Sequence, residues 1–281
     1  MLRVESDRET GSGERAGRGP LGEPPAYVPG HGLLRGRTAL VTAAAGAGIG
    51  GATARRFLEE GAKVLLSDAH RRRLAESRAA LADEFGADAV AAQPCDVTDE
   101  EQVRALFARV AEEHGGPDVV VNNAGLGGTA ALVDMADEQW DRVLDTTLNG
   151  TFRCTRAALR AFRDSGRGGV IVNNASVLGW RAQTGQAHYA AAKAGVMALT
   201  RCAALEAAAY GVRVNAVAPS LAMHPHLVKA TSAELLAELV EREAFGRYAE
   251  PWEVANVIVF LAGDYSSYMT GEIVPVSSRR A

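Results

Sequence analysis

The sequence predicts an α/β domain built on a doubly wound parallel sheet, and three observations carry that prediction. From Gly36 onward, short runs rich in β-branched residues alternate with longer Ala-rich amphipathic stretches. This alternation implies crossover connections, which place helices on both faces of a parallel sheet. A glycine-rich turn joins the first run to the first helical stretch, and the 281 residues show no internal repeat. We therefore expect one domain over residues 34–281.

Residues 1–33 form a separate segment, rich in Gly, Pro, Arg and Glu with only scattered apolar positions. Such a segment buries too little apolar surface to offset the entropy of ordering it. The sequence predicts a flexible amino-terminal arm.

Seven strand-like runs then follow in order: TALVT, AKVLLS, DAVAAQ, DVVVNN, GGVIVNN, VRVNAVA and EIVPV. Between the sixth and seventh runs, residues 221–247 interrupt the alternation with His, Pro and the short helical pattern SAELLAELVERE. Because this stretch follows the carboxyl end of a strand, where ligands bind in open α/β sheets, it is predicted to be a substrate lid.

Composition excludes several classes of protein. A net charge of -4 gives no overall electrostatic footprint for nucleic acid or an anionic membrane. No apolar run approaches the roughly 20 residues of a membrane helix, and the amino terminus lacks a signal-peptide pattern. The three widely spaced cysteines fit a reducing compartment, so a soluble cytoplasmic protein is expected. His224 and His226 lack a third ligand in an evident metal pattern, so no metal is predicted.

The glycine-rich turn predicts a dinucleotide site. Gly46, Gly48, Ile49 and Gly50 lie between a strand and a helix whose amino terminus can face a pyrophosphate. Glycine is needed there because a side chain would hold the phosphate away and because some turn positions require positive φ.

Asp68, at the end of the second strand, is placed to accept hydrogen bonds from an adenosine ribose; the alternative is that it caps the following helix. A carboxylate there repels a 2′-phosphate, which favours NAD over NADP. Three basic residues close by would instead favour the 2′-phosphate of NADP: Arg71, Arg72 and Arg73. Their spacing is explained more simply by a solvent-exposed helix face.

A catalytic constellation follows the fifth run. Ser176 lies just past that strand, Tyr189 comes thirteen residues later, and Lys193 lies one helical turn further on the same helix face. An ammonium beside a phenol favours the phenolate, which makes tyrosine usable as a proton donor or acceptor. Ser176 can donate to the substrate oxygen beside it.

Together these motifs resemble the short-chain dehydrogenase/reductase family over essentially all of residues 34–281. The resemblance implies a seven-stranded Rossmann sheet, with Tyr189 as proton donor or acceptor, Lys193 binding the nicotinamide ribose and lowering the tyrosine pKa, and Ser176 orienting substrate. It also assigns cofactor contacts to Asp96 and Val97 beside the adenine, to Asn123, Ala124 and Gly125 of the NNAG motif, and to Pro219 after RVNAVA.

Four departures from the family pattern stand out. Ala43 follows Thr42 where the family has glycine, and the turn carries one extra residue. Thr147 occupies the position of the family's proton-relay asparagine. Pro219 is followed by Ser220 instead of glycine, and the carboxyl-terminal Asp-Gly-Gly is replaced by Ser277 and Ser278 followed by two arginines.

The substrate is predicted less specifically. Trp180 and Gln183 lie between Ser176 and Tyr189, and His224 lies at the start of the lid, so all three are candidate substrate contacts. Trp180 fits a core position equally well. The pattern NNASVLGWRAQ is similar to reductases and hydroxyacyl dehydrogenases of bacterial lipid and steroid-ring breakdown, which favours a CoA-linked hydroxyacyl or ring-derived acid.

We thus predict an NAD-dependent oxidoreductase that interconverts a secondary alcohol and a ketone, and the resemblance implies a homotetramer. One alternative is an NADPH-dependent 3-oxoacyl-acyl-carrier-protein reductase. Another is a weakly catalytic dinucleotide-binding redox sensor or assembly partner, against which the intact Ser176, Tyr189 and Lys193 argue.

Overall fold

The structure, a computed structural model, describes residues 22–223 and 232–278. Seven strands form one parallel sheet in the order β3-β2-β1-β4-β5-β6-β7, which confirms the predicted doubly wound fold and all seven strand-like runs. The strands are β1 Thr38–Thr42, β2 Lys63–Asp68, β3 Val90–Pro94, β4 Val119–Asn122, β5 Gly169–Asn174, β6 Val212–Pro219 and β7 Ile273–Val276.

Eight α-helices lie within these described residues: α1 Ile49–Glu59, α2 Arg71–Phe85, α3 Glu100–His114, α4 Asp137–Leu144, α5 Gly150–Ser165, α6 Ala187–Ala207, α7 Ala233–Glu241 and α8 Pro251–Ala262. A π-helical turn over Asp145–Asn149 separates α4 from α5, and a 3-10 turn over Val177–Gly179 follows β5. Within residues 22–223 and 232–278, no helix is long and apolar enough to cross a bilayer.

The sheet is buried on both faces because successive strand residues alternate between two cores. Ala39 and Val41 of β1 pack with apolar residues of α1, α2 and α8, whereas Leu40 packs with those of α3, α5 and α6. Each helix therefore covers a defined strip of the sheet, and the carboxyl ends of β1, β4, β5 and β6 are left to form a cleft edge.

Helix α6 packs closely against its neighbours because glycine stands at two of the contacts. A Cβ added at Gly195 would lie 2.8 Å from Leu148 Cδ2, and one added at Gly179 of the 3-10 turn would lie 2.6 Å from Met197 Cε of α6. This close packing fixes the helix that carries Tyr189 and Lys193 against the end of β5.

Part of the segment predicted to be an arm contacts the domain. The Tyr27 hydroxyl donates its one proton to the Glu59 carboxylate, whose two oxygens lie 3.0 and 2.8 Å away, and the Tyr27 ring centre lies 5.3 Å from the buried Arg56 guanidinium. The backbone N–H groups of His31 and Leu33 donate to the buried Glu60 at 2.9 and 3.0 Å. Residues 27–33 are thus held on α1 by polar contacts; residues 1–21 lie outside the described range.

The segment predicted to be a lid is joined to the ends of β6 and β7 by the buried carboxylate of Glu243. Glu243, 4% exposed, accepts hydrogen bonds from Ser220 Oγ at 3.1 Å and from Ser278 Oγ at 2.9 Å. Two of the departures from the family pattern, Ser220 and Ser278, are therefore partners of one carboxylate. His224, with residues 225–231, lies outside the described residues.

Candidate active site

The predicted constellation comes together at the carboxyl end of β5. Ser176 lies close enough to Tyr189 to lower the pKa of its phenol, and Ser176 Oγ accepts the Leu178 N–H at 3.2 Å. The Lys193 ammonium nitrogen lies 5.5 Å from the centre of the Tyr189 ring and donates to the Asn174 carbonyl oxygen at 2.5 Å. The structure thus brings all three predicted residues into one cluster.

Burial dominates the electrostatics of this cluster. Desolvation lowers the pKa of Lys193 from 10.5 to about 8, because burial disfavours the charged ammonium. Burial also raises the pKa of Tyr189 above its ordinary value, and the nearby Ser176 hydroxyl opposes that rise. The expected lowering of the tyrosine pKa by Lys193 is therefore not the prevailing effect; the phenol is protonated near neutral pH.

Thr147, at the position of the family's relay asparagine, is fully buried in the π-helical turn. Its hydroxyl accepts the Leu126 N–H at 2.9 Å and donates to the Leu126 carbonyl at 3.0 Å. It therefore fastens the loop after β4. Asn149, two residues further along, donates from its side chain to the Asp145 carboxylate at 3.1 Å and takes no part in this contact.

The turn after β1 has the form of an anion cradle. Gly48 is the N-cap of α1 and its residue type offers no side-chain cap, so the first N–H groups of the helix remain for an anion. A Cβ at Gly46 or Gly48 would meet nothing within 4 Å, and Gly46 has a φ of +85°. Ile49 begins the helix. These features fit the pyrophosphate of a nicotinamide dinucleotide.

Gly50 has a different role, which is packing. A Cβ there would lie 2.2 Å from the Ala43 carbonyl oxygen and 2.5 Å from Asn123 Nδ2. Ala43 itself adopts a left-handed φ of 49°, a conformation that favours glycine. Asn123 Nδ2 donates to the carbonyls of Thr42 and Ala43, at 3.2 and 3.1 Å, which helps hold this strained residue.

Asp68 faces the same turn. Its carboxylate accepts the Ala45 N–H at 3.2 Å and the His70 N–H at 2.8 Å. The cap of α2 is His70, whose Nδ1 accepts the Arg73 N–H at 3.3 Å, so Asp68 is not the helix cap. Ser77, which the sequence reasoning missed, accepts the Gly46 N–H at 3.0 Å and ties the extended turn to α2.

The remaining predicted cofactor residues line the same edge of the sheet. Asp96 forms a turn by accepting from the N–H and hydroxyl of Thr98, at 2.9 and 2.8 Å, and Val97 is buried against Gly150. Ala124 N donates to Thr42 Oγ1 at 3.1 Å. Pro219 ends β6.

Gly125 lies between the Lys193 ammonium and the Thr147 hydroxyl. A Cβ there would lie 3.5 Å from Lys193 Nζ and 3.7 Å from Thr147 Oγ1. A glycine at this position therefore keeps the approach to the buried lysine clear of side chains.

Two candidate substrate residues are described. Trp180 is 51% exposed, which rules out the core position that was its alternative. Gln183 is partly buried, and its carbonyl accepts the Gln186 N–H at 3.2 Å. A groove along the edge strand β3, lined by residues of α2 and α3, lies away from Ser176 and Tyr189. Among the described residues, no group of three potential metal ligands is found.

Sequence reasoning also missed Asn174 and His188. Asn174 supplies the carbonyl that holds Lys193, and its side chain donates to Asn123 at 2.8 Å. His188 is fully buried beside Tyr189, and neither ring nitrogen has a partner among the described residues. The available signal for Asn174 was the pair of asparagines that ends the apolar strand β5.

A sequence model of the family described as enoyl-(acyl carrier protein) reductase matches residues 43–278. A relative from Mycobacterium tuberculosis, (5R,7aS)-5-hydroxy-7a-methyl-1-oxo-2,3,5,6,7,7a-hexahydro-1H-indene-carboxyl-CoA reductase, is 62% identical over 253 residues, which span 90% of this chain and 96% of the relative. A 3-oxoacyl-[acyl-carrier-protein] reductase from Thermotoga maritima is 38% identical, over 86% of this chain and 97% of the relative.

A solved structure is similar as well. A short chain dehydrogenase from Mycobacterium smegmatis superposes with a TM-score of 0.82 at 60% sequence identity, covering 93% of this chain and 100% of that chain.

Proposed function

The chain belongs to the short-chain dehydrogenase/reductase family and is an oxidoreductase that uses a nicotinamide dinucleotide; on that premise we propose that Ser176, Tyr189 and Lys193 catalyse the interconversion of a secondary alcohol and a ketone on a CoA-linked, ring-derived acid. The observation that carries the catalytic assignment is the placement of the buried Lys193 ammonium 5.5 Å from the centre of the Tyr189 ring, with Ser176 beside the same phenol.

The roles follow from the geometry. The bound dinucleotide supplies or accepts the hydride. Tyr189 exchanges a proton with the substrate oxygen at its hydroxyl, and Ser176, which lies beside that phenol, orients the same oxygen. Because burial keeps the phenol protonated near neutral pH, Tyr189 is poised to donate a proton, which suits ketone reduction.

Gly46, Gly48 and Ile49 would hold the pyrophosphate, Asp96 and Val97 would flank the adenine, and Asn123 through Gly125 with Pro219 would line the nicotinamide half. Thr147 would take part only through the loop that it fastens to the π-helical turn.

NAD is proposed over NADP because of Asp68. Its carboxylate lies at the end of β2, 3.2 Å from the N–H of Ala45 in the turn, where it would meet the adenosine ribose. A 2′-phosphate there would face a like charge. Arg71 and Arg72 are exposed, and Arg72 forms a 3.7 Å ion pair with Glu76, which supports the solvated-face interpretation. In the Asp68→Ala variant, the preference for NADH over NADPH should narrow about tenfold or more.

The substrate class rests on the relative that is 62% identical, whose name describes a ring-derived carboxyl-CoA. Trp180 and Gln183, with His224 outside the described residues, would form the substrate wall. The second candidate is an NADPH-dependent 3-oxoacyl-acyl-carrier-protein reductase, which the Thermotoga relative favours. Comparing turnover of ring-derived acyl-CoAs and linear 3-oxoacyl thioesters separates the two.

We place the enzyme in the cytoplasm, because its three cysteines are free thiols. We also propose a homotetramer, supported by apolar side chains exposed on α5 and α6, namely Phe152 and Leu205. Light scattering on the purified protein tests the second point, and a monomer would contradict it.

The test of function is the Tyr189→Phe variant. It should bind NADH with little change in affinity and lose about 100-fold or more of its turnover, since proton transfer contributes roughly that much. Undiminished turnover would overturn the mechanism. Binding of NADH with no turnover of any alcohol by the parent protein would favour the sensor alternative.

A further inference from the structure

One asparagine joins the cofactor turn to the catalytic lysine. Asn174 is the last residue of β5. Its carbonyl oxygen accepts the Lys193 ammonium at 2.5 Å, and its side-chain nitrogen donates to Asn123 Oδ1 at 2.8 Å. The backbone of Asn174 therefore bonds Lys193, and its side chain bonds Asn123.

The orientation of the Asn174 amide is set by its neighbour. Asn123 Nδ2 donates to two backbone carbonyls, those of Thr42 and Ala43, so Asn123 must present its oxygen to Asn174. Asn174 must in turn present its nitrogen. The Oδ1 atom of Asn174 is then left buried without a partner among the described residues, which is unfavourable, so the contact with Asn123 must hold this orientation.

The two ends of this chain of hydrogen bonds lie in the two halves of the dinucleotide site. Asn123 holds Ala43, the strained residue that opens the glycine turn, and its nitrogen lies where a Cβ at Gly50 would clash. Lys193 lies at the nicotinamide half, beside Tyr189.

We propose that Asn174 is a positioning residue that couples the glycine turn to Lys193, so that the backbone carbonyl holding the lysine is fixed by the same bonds that fix the turn. The proposal rests on the cofactor and lysine roles given above. Without the Asn174 side chain, the carbonyl keeps its place in the sheet but loses its tie to Asn123, and the lysine is held less firmly.

The sign of the effect on Lys193 follows from the chemistry. A hydrogen bond to an ammonium favours the charged form, so a looser bond lowers the lysine pKa further below its ordinary value. The alkaline limb of the pH profile of kcat should therefore move to lower pH. The affinity for NADH should fall about 3- to 12-fold, the amount that one hydrogen bond contributes.

The test compares Asn174→Val with Asn215→Val. Asn215 is also a buried strand asparagine, but it bonds Met269 O at 2.8 Å and Glu272 N at 3.0 Å, which are structural backbone groups only. For both variants we would measure the dissociation constants of ADP and NADH by calorimetry and the pH profile of kcat. ADP fills the adenosine and pyrophosphate half without the nicotinamide ribose.

Asn174→Val is expected to bind ADP within about twofold of the parent, to bind NADH 3- to 12-fold more weakly, and to shift the alkaline limb. Asn215→Val should lower the unfolding temperature and leave both readouts unchanged. Equal losses of ADP and NADH affinity, or identical behaviour of the two variants, would overturn the proposal.

If Asn174→Val does not fold, Asn174→Ser replaces it in the same measurements with the same criteria. The ADP and NADH affinities need no turnover, so they test the coupling even if the proposed substrate is wrong. Absence of Tyr189-dependent turnover in the parent would count against the proposed function alone.

Discussion

Replacing Lys193 with methionine tests whether burial of the lysine ammonium destabilises the folded protein. Lys193 is 3% exposed, and desolvation lowers its pKa from 10.5 to about 8. Each pKa unit corresponds to about 1.4 kcal/mol, so holding the charge in the folded state costs about 3 kcal/mol below pH 8. Methionine has a similar length and no charge to desolvate.

The effect of Lys193 burial on stability changes with pH. Between pH 8 and 10.5 the unfolded chain still binds the Lys193 proton while the folded chain has released it, so the unfolding free energy of the parent rises with pH in this window. Lys193→Met lacks this contribution. Raising the pH from about 7 to 9.5 should therefore raise the parent's stability by about 2 kcal/mol relative to the variant.

The assay is urea denaturation of both proteins without cofactor at a series of pH values. Methionine also leaves the Asn174 carbonyl without its donor, but that cost is the same at every pH, so the difference in slope is the readout. Lys63→Met is the matched control, because Lys63 is exposed. Parallel stability curves for the parent and Lys193→Met would refute the reasoning.

Three further predictions concern the turn and the lid segment. Ala43→Gly should raise the unfolding free energy by up to about 1 kcal/mol, since glycine tolerates the left-handed φ of 49°, and a clear loss of stability in urea would contradict the assigned strain. Gly50→Ala should lower the unfolding free energy by about 1–3 kcal/mol, because the new Cβ would lie 2.2 Å from the Ala43 carbonyl oxygen. Gly48→Ala is the control: its Cβ would meet nothing within 4 Å, so the melting temperature of the apoprotein should not change. Glu243→Leu should cost about 1–3 kcal/mol, since it strips Ser220 and Ser278 of their shared acceptor, and an unchanged denaturation midpoint would show that this contact is not stabilising.

The parts of the molecule that were predictable are those encoded by local periodicity. Each strand appears as an apolar run, and the four-residue spacing of Tyr189 and Lys193 places both on one helix face. The glycine turn was predictable because its residues are adjacent in the chain. Ser176 was found because it follows a strand directly.

The parts that were not predictable depend on residues brought together from a distance. The bond between Asn123 and Asn174 joins two strand ends 51 residues apart, and Tyr27 reaches Glu59 across 32 residues. The cap of α2 lies two residues beyond Asp68 because the Asp68 carboxylate bonds backbone groups before the helix begins. The balance of pKa effects at Tyr189 depends on its burial, which spacing alone does not give.

The most direct test of the central claim is formation of reduced nicotinamide by the purified protein on a panel of hydroxyacyl-CoAs, ring-derived acyl-CoAs, free hydroxysteroids and simple secondary alcohols. NAD and NADP are compared in parallel, and Tyr189→Phe is the control. We expect turnover of a CoA-linked hydroxy acid with NAD, and loss of that turnover in the variant. Turnover that the variant retains in full, or tight binding of NADH with no turnover of any substrate in the panel, would contradict this expectation.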